Sequence, residues 1–353
     1  MTRSSRKTLN SQADILKQTQ LGQICGSKQL FRDRYEILRI LGRGGFGVTF
    51  LARDAILPGN PLCVIKQLCP QVTNPKTCVN ACQRFEQEAK TLGQLGSHSQ
   101  IPMLLDYFEA KGEFYLVQEY IAGPNLAREV KKTGLYSEAA VKQFLRELLP
   151  VLQYIHQNHV IHRDIKPHNL LRCEDDGRLV LIDFGAVKEK LAIANETLIE
   201  QTANTNFVGT MGFAPPEQLS SRPVYASDIY AVGVTCLYLL TGKLPLELDY
   251  DQKTGEICWH KEVTVSNYFA QILDKMLKIP LEERFKSVKE VIWALSMETY
   301  FPTLTDCLTT QRLGVSSTRK NEQVSQEYLT PAQRTARAIR EWKAKSQARI
   351  ANC

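Results

Sequence analysis

Apolar and polar residues alternate with the two-residue period of a half-buried strand at 35–41 and again at 48–53. Gly42-Arg43-Gly44-Gly45-Phe46-Gly47 lies between them, so the pattern predicts a hairpin with a glycine tip. The Pro-Gly-Asn-Pro content of 55–61 predicts a loop, and Cys63-Val64-Ile65-Lys66 a further strand. From 80 to 93 the period lengthens to that of a helix. Phe85, Ala89 and Leu92 share one face with Glu88, while Glu86 points away. Strands follow at 107–109 and 114–120, until Ala122-Gly123-Pro124 breaks the pattern. Ser137 caps a long helix to Asn158, with a bend expected at Pro150, which has no N–H to donate and crowds the preceding turn. Short runs at 170–173 and 179–182 flank Asp175-Asp176-Gly177 and predict a second hairpin. The apolar stretch 229–240 predicts a buried helix within 227–241; a membrane span needs about twenty apolar residues, and no run reaches that.

Both ends break the periodicity. Residues 1–34 are polar and predict a weakly ordered extension. After about residue 300 a polar linker follows, and Thr330-Pro331 opens a final helix carrying Arg334, Arg337, Arg340, Lys343, Lys345 and Arg349. Ile339 and Trp342 give it only a narrow apolar edge. Two readings stay open for 301–353: a solvated basic helix, or one that docks on a partner, an acidic surface or the preceding domain.

Composition changes this picture little. The 353 residues are 43% hydrophobic and 23% charged, ordinary values for a globular chain with room for two packed lobes and tails. The net charge of +7 is modest and requires no nucleic-acid partner. The basic start lacks the apolar core of a secretory signal. Ten scattered cysteines do not read as a disulfide framework, which favours a reducing cytoplasmic setting. Cys63, Cys69, Cys78 and Cys82 match no zinc spacing closely and read as ordinary thiols.

Chemistry concentrates in His162-Arg163-Asp164-Ile165-Lys166-Pro167-His168-Asn169 and in Asp183-Phe184-Gly185. If the hairpin between them forms, Asp164, Asn169 and Asp183 converge beside Lys166, a set suited to magnesium and phosphate. Phosphoryl transfer asks the protein chiefly for positioning and charge neutralisation. Asp183 and Asn169 are thus candidates for the metal, Asp164 for the substrate hydroxyl and Lys166 for the transferring phosphoryl group. The glycine turn alone is a weak signal, since dinucleotide-binding folds share its spelling; its place between two strands favours a flap over nucleotide phosphates. Lys66 could be a solvated strand end. Glu88 on an apolar face is either wetted or paired with a cation, and Lys66 is the candidate.

At these motifs the chain resembles the eukaryotic-type serine/threonine protein kinases, from about Tyr35 to about Leu295. Gly45-Phe46-Gly47, Cys63-Val64-Ile65-Lys66-Gln67 and Pro215-Pro216-Glu217 are most similar to the cyanobacterial set. Cys25-Gly26 is similar to the end of a zinc ribbon found ahead of some of these kinases, without the other ligands. The resemblance implies an α+β, two-lobed kinase fold: a sheet lobe at 35–121 and a mainly helical lobe at 122–300. It implies ATP and Mg2+ as cofactors and protein serine or threonine hydroxyls as acceptors. Leu41, Gly42, Gly44, Gly47, Thr49, Val64, Lys66, Glu88, Glu119 and Ile121 would then line the nucleotide site, with Tyr120 in the inter-lobe link and Gln118 at its rear. It also implies that His162 packs on Asp-Phe-Gly, that Glu217 pairs with Arg284, and that Asp228 braces the catalytic loop. Thr210 would contact Asp164 and Lys166, and Arg163 would tether a phosphorylated Thr202 or Thr205. His168 stands where many relatives selective for basic substrates have Glu. A nucleotide-binding pseudokinase is disfavoured by retention of Lys66, Glu88, Asp164, Asn169 and Asp183. A small-molecule phosphotransferase is disfavoured by the stretch from Gly209-Thr210 to Glu217.

Overall fold

The computed structural model describes residues 19–43, 47–68, 75–186, 188–189 and 210–298. Six strands form one antiparallel sheet in the order β1 (Leu30–Phe31), β2 (Tyr35–Arg43), β3 (Gly47–Asp54), β4 (Leu62–Leu68), β6 (Glu113–Glu119) and β5 (Leu104–Ala110). Its register sorts the side chains. Thr49 opposes Lys66, Leu51 opposes Val64, and Val64 and Lys66 oppose Gln118 and Leu116, so these residues share one face. The other face carries Phe50, Ala52, Cys63, Ile65, Tyr115 and Val117, which pack into a core with Tyr35 and Ile37. A helix, α2 (Pro75–Leu95), lies against the first face, with Phe85, Ala89 and Leu92 buried.

The second core is helical. It unites α3 (Leu126–Thr133), α4 (Glu138–Gln157), α6 (Tyr225–Thr241), α7 (Asn267–Leu277) and α8 (Val288–Met297). Apolar side chains run right round α6, and all but its ends is buried. Ser137 accepts a hydrogen bond from the Ala140 N–H and caps α4, as the sequence predicts. The two lobes and their α+β class agree with the expectation.

The expectation of a weakly ordered stretch up to residue 34 does not hold for residues 19–34. A short helix, α1 (Gln20–Ile24), is capped by the Thr19 hydroxyl, and Leu21 is fully buried in the sheet core. The Leu21 N–H donates to Gln67 Oε1, while Tyr115 Oη donates to Gln20 Oε1. One buried leucine in a polar stretch carries no periodic signal, so the anchor is invisible locally. Leu21→Ala should cost about 3 kcal/mol of stability, read as a lowered urea-unfolding free energy. A loss under about 0.5 kcal/mol, the range of a surface change, would mean that the segment is not part of the core.

The expected final helix at 330 onward, and Thr197, Thr202 and Thr205, lie outside the described residues. So do Gly44, Gly45 and Phe46.

Candidate active site

Between the lobes the motifs meet. β8 (Leu170–Arg172) and β9 (Leu179–Leu181) pair antiparallel, Leu170 opposite Leu181, and carry the catalytic-loop and Asp-Phe-Gly segments to one place. The Ile182 N–H donates to the Asn169 carbonyl at 2.9 Å, tying the two together. A 3-10 turn, Pro167–Asn169, ends the catalytic loop and buries Asn169.

Lys66 reaches across to both sides. Its Nζ donates to Glu88 Oε1 on α2 and, at 3.2 Å, to Asp183 Oδ1. Burial would lower the Lys66 pKa, but Asp183 and Glu88 outweigh it and hold the ammonium above its ordinary range. In turn, the Lys66 charge holds Asp183 below the usual carboxylate range, so both groups are ionised at neutral pH. Gly185 helps: a Cβ there would lie 3.2 Å from Glu88 Oε2.

Asp164 is held from three directions. Its Oδ2 accepts from Lys166 Nζ at 2.8 Å and Asn169 Nδ2 at 2.9 Å, and its Oδ1 accepts from the Thr210 hydroxyl at 2.8 Å. Lys166 also donates to Thr210 Oγ1 at 2.6 Å. Because Asn169 turns its amide nitrogen to Asp164, its Oδ1 is the end left to act as an acceptor or metal ligand. Asn169 Oδ1 and an ionised Asp183 carboxylate are both hard-oxygen donors of the kind that suits Mg2+, which binds through few protein ligands and keeps several waters. Among the described residues no group of three or more His, Cys, Asp or Glu side chains could hold a metal. Cys69 lies outside the described residues, and of Cys78's side chain nothing is described.

The supports are buried. Asp228, fully enclosed, accepts from the His162 and Arg163 backbone N–H groups at 2.9 and 2.8 Å and pairs with His156 at 2.8 Å. Burial pushes its pKa up, but the His156 contact and the N–H donors win and leave it lowered. His162 packs edge-on against Phe184 with ring centroids 4.9 Å apart, and burial keeps it neutral at physiological pH. Arg284 donates to Glu217 Oε1 at 2.6 Å. Sequence reading missed Gln218: its Nε2 donates to the Arg163 carbonyl at 2.6 Å, tying helix α5 (Pro216–Leu219) to the catalytic loop. A polar residue one position after a motif gave no separate signal.

The expected nucleotide-lining residues are distributed as follows. Thr49, Val64 and Lys66 share the sheet face that bears on α2, with buried Gln118 beside Val64. Leu41 sits half-buried at a register shift between Ile40 and Gly42. Gly47 is required by packing, since a Cβ there would come within 2.3 Å of the Gln67 carbonyl oxygen. Glu119 has its N–H engaged by the Met103 carbonyl at 2.9 Å, so only its carbonyl remains from that residue for a ligand. Ile121 is buried against Cys173 and Val180. Gly44 lies outside the described residues.

A strand-rich lobe and a helical lobe, with a lysine from one ion-paired to carboxylates reaching it from a helix and from the other lobe, define the kinase class of fold. The chain belongs to the protein kinase domain family, whose profile matches residues 35–294. It is 56% identical over 283 residues to serine/threonine-protein kinase B of Synechocystis sp., covering 80% of this chain and 49% of that protein. Over 275 residues it is 44% identical to serine/threonine-protein kinase PknA of Nostoc sp., covering 76% and 48% respectively. Serine/threonine-protein kinase PrkC of Bacillus subtilis is 31% identical over 215 residues, 61% of this chain and 31% of that protein. The chain thus spans about half the length of the two cyanobacterial relatives. Among the described residues no helix is long and apolar enough to cross a membrane.

Proposed function

We propose that this chain is a serine/threonine protein kinase that transfers the γ-phosphoryl group of ATP to protein hydroxyls. The observation that carries the reading is the convergence of Lys66, Glu88 and Asp183 on one side and Asp164, Lys166, Asn169 and Thr210 on the other. Residues 35–121 form the nucleotide-side lobe and 122–300 the substrate-side lobe, and the setting is cytoplasmic. Leu41, Gly42, Gly44, Gly47, Thr49, Val64 and the backbone of Glu119 to Ile121 enclose the nucleotide. Lys66, oriented by Glu88, neutralises its phosphates.

The acceptor oxygen attacks the γ-phosphorus, the bond from that phosphorus to the oxygen of departing ADP breaks, and the hydroxyl proton passes to the Asp164 carboxylate. Oδ1 of Asp164 already accepts from an alcohol, that of Thr210, and its second lone pair remains for the substrate hydroxyl. Lys166 stabilises the charge on the transferring group. Asn169 and Asp183 would hold Mg2+, which when bound screens the phosphate charge. Autophosphorylation at Thr202 or Thr205 belongs to the same proposal. Its support is Arg163, whose Nε is buried with no hydrogen-bond partner among the described residues and which lies close enough to Arg84 to be repelled by it. An anion there would give the Arg163 Nε its partner.

Incubation of the purified chain with labelled ATP, Mg2+ and a proteome extract, followed by mapping of the labelled residues, tests this. Label is expected on serine and threonine, including the chain's own, and none above background with Asp164→Ala. Equal labelling by that variant, or label confined to small metabolites, would refute it.

A further inference from the structure

We infer that the rim of the cleft beside Asp164 selects protein substrates that carry aspartate or glutamate close to the acceptor hydroxyl. This rests on the kinase reading above and concerns which sequences the same site accepts. Helix α3 buries Leu126, Ala127 and Val130, which turns Arg128, Lys131 and Lys132 outward. The helix packs on the 3-10 turn Pro167–Asn169, where His168 is exposed four residues after Asp164. Among the described residues none of Arg128, Lys131 and Lys132 makes an ion pair. The one acid of α3, Glu129, is taken elsewhere: its Oε1 accepts from the Tyr136 hydroxyl at 2.6 Å and its Oε2 lies 4.0 Å from Arg172.

Lys166, Lys131 and Arg128 all lie close enough to His168 to act on it, as does the Asp164 carboxylate. The surface an incoming peptide meets next to the reacting oxygen is therefore cationic and unpaired among the described residues. A substrate arginine there would add a like charge, whereas a carboxylate would find up to three cations and a ring N–H. Each such contact is solvent-exposed and weak, but they act together.

The test uses the full chain with ATP and Mg2+ on peptides identical except for Glu, Gln or Arg at each position flanking one serine. At one or more positions Glu should exceed Arg in kcat/KM by about tenfold, and that ratio should shrink as salt rises to about 0.5 M. In Arg128→Glu/Lys131→Glu/His168→Glu the ratio should invert in favour of Arg. Turnover of the Gln peptides with no charge preference, or with Arg preferred, would overturn the inference while leaving the kinase reading intact. Failure to phosphorylate any peptide or any extract protein would overturn both.

Discussion

Asp183→Asn should leave a folded chain whose phosphoryl-transfer rate has fallen by about a thousandfold or more. The substitution keeps shape and removes one charge. That charge faces Lys66 at 3.2 Å, and on the proposed reading it would hold the divalent ion together with Asn169 Oδ1. Lys66 keeps Glu88 as a partner, so the sheet lobe and α2 should stay joined. Initial rates of peptide phosphorylation, set beside circular dichroism and the unfolding midpoint of the same preparation, separate chemistry from folding. Activity within tenfold of wild type would place the metal and phosphate elsewhere.

Arg284→Ala should act the other way, costing about 4 kcal/mol of stability. The guanidinium has no exposed surface. It donates to Glu217 at 2.6 Å and to the carbonyls of Lys278, Ile279 and Ala226 at 2.6, 3.0 and 3.2 Å, and it lies over the Tyr230 ring at 5.1 Å. Removing it leaves a nearly buried carboxylate with only the Ser227 hydroxyl, and three carbonyls without this donor. Against a typical stability of roughly 5–15 kcal/mol, such a loss lowers the folded fraction at 37 °C. Glu217→Gln/Arg284→Met should cost less than the sum of the single changes, because neither charge is then left alone. Urea unfolding of the four proteins measures this. Additive losses, or less than about 1 kcal/mol for Arg284→Ala, would show that the pair is not a buried keystone.

Legibility differed from residue to residue for physical reasons. Period-two runs made β2 and β3 readable, since each lies in a sheet with one cleft face and one core face, and the loop before it marked β4. Glu88, a carboxylate on an apolar helix face, called for either water or a cation, and Lys66 meets it. The start of α2 at Pro75 rather than residue 80 was not legible, for the polar first turns carry little apolar pattern. Glu217 with Arg284, and Asp228 with the catalytic loop, lie 67 and 65–66 residues apart. Only the family resemblance brought them together beforehand. Leu21 and Gln218 escaped altogether, because each works through one non-local contact that leaves no periodic trace. The short helix α3 had no place in the sequence reading, although Asn125 caps its start and Gly134 follows its last turn.

On the proposed function, Lys66, Asn169 and Asp183 together would grip a metal-bound nucleotide next to Asp164. A structure of the full chain with Mg2+ and a non-hydrolysable ATP analogue examines it most directly. The metal is expected on Asn169 Oδ1 and the Asp183 carboxylate at about 2.1 Å, with Lys66 Nζ hydrogen-bonded to a phosphate oxygen and the terminal phosphate facing Asp164. A nucleotide bound away from Lys66, or a metal touching neither Asn169 nor Asp183, would contradict it.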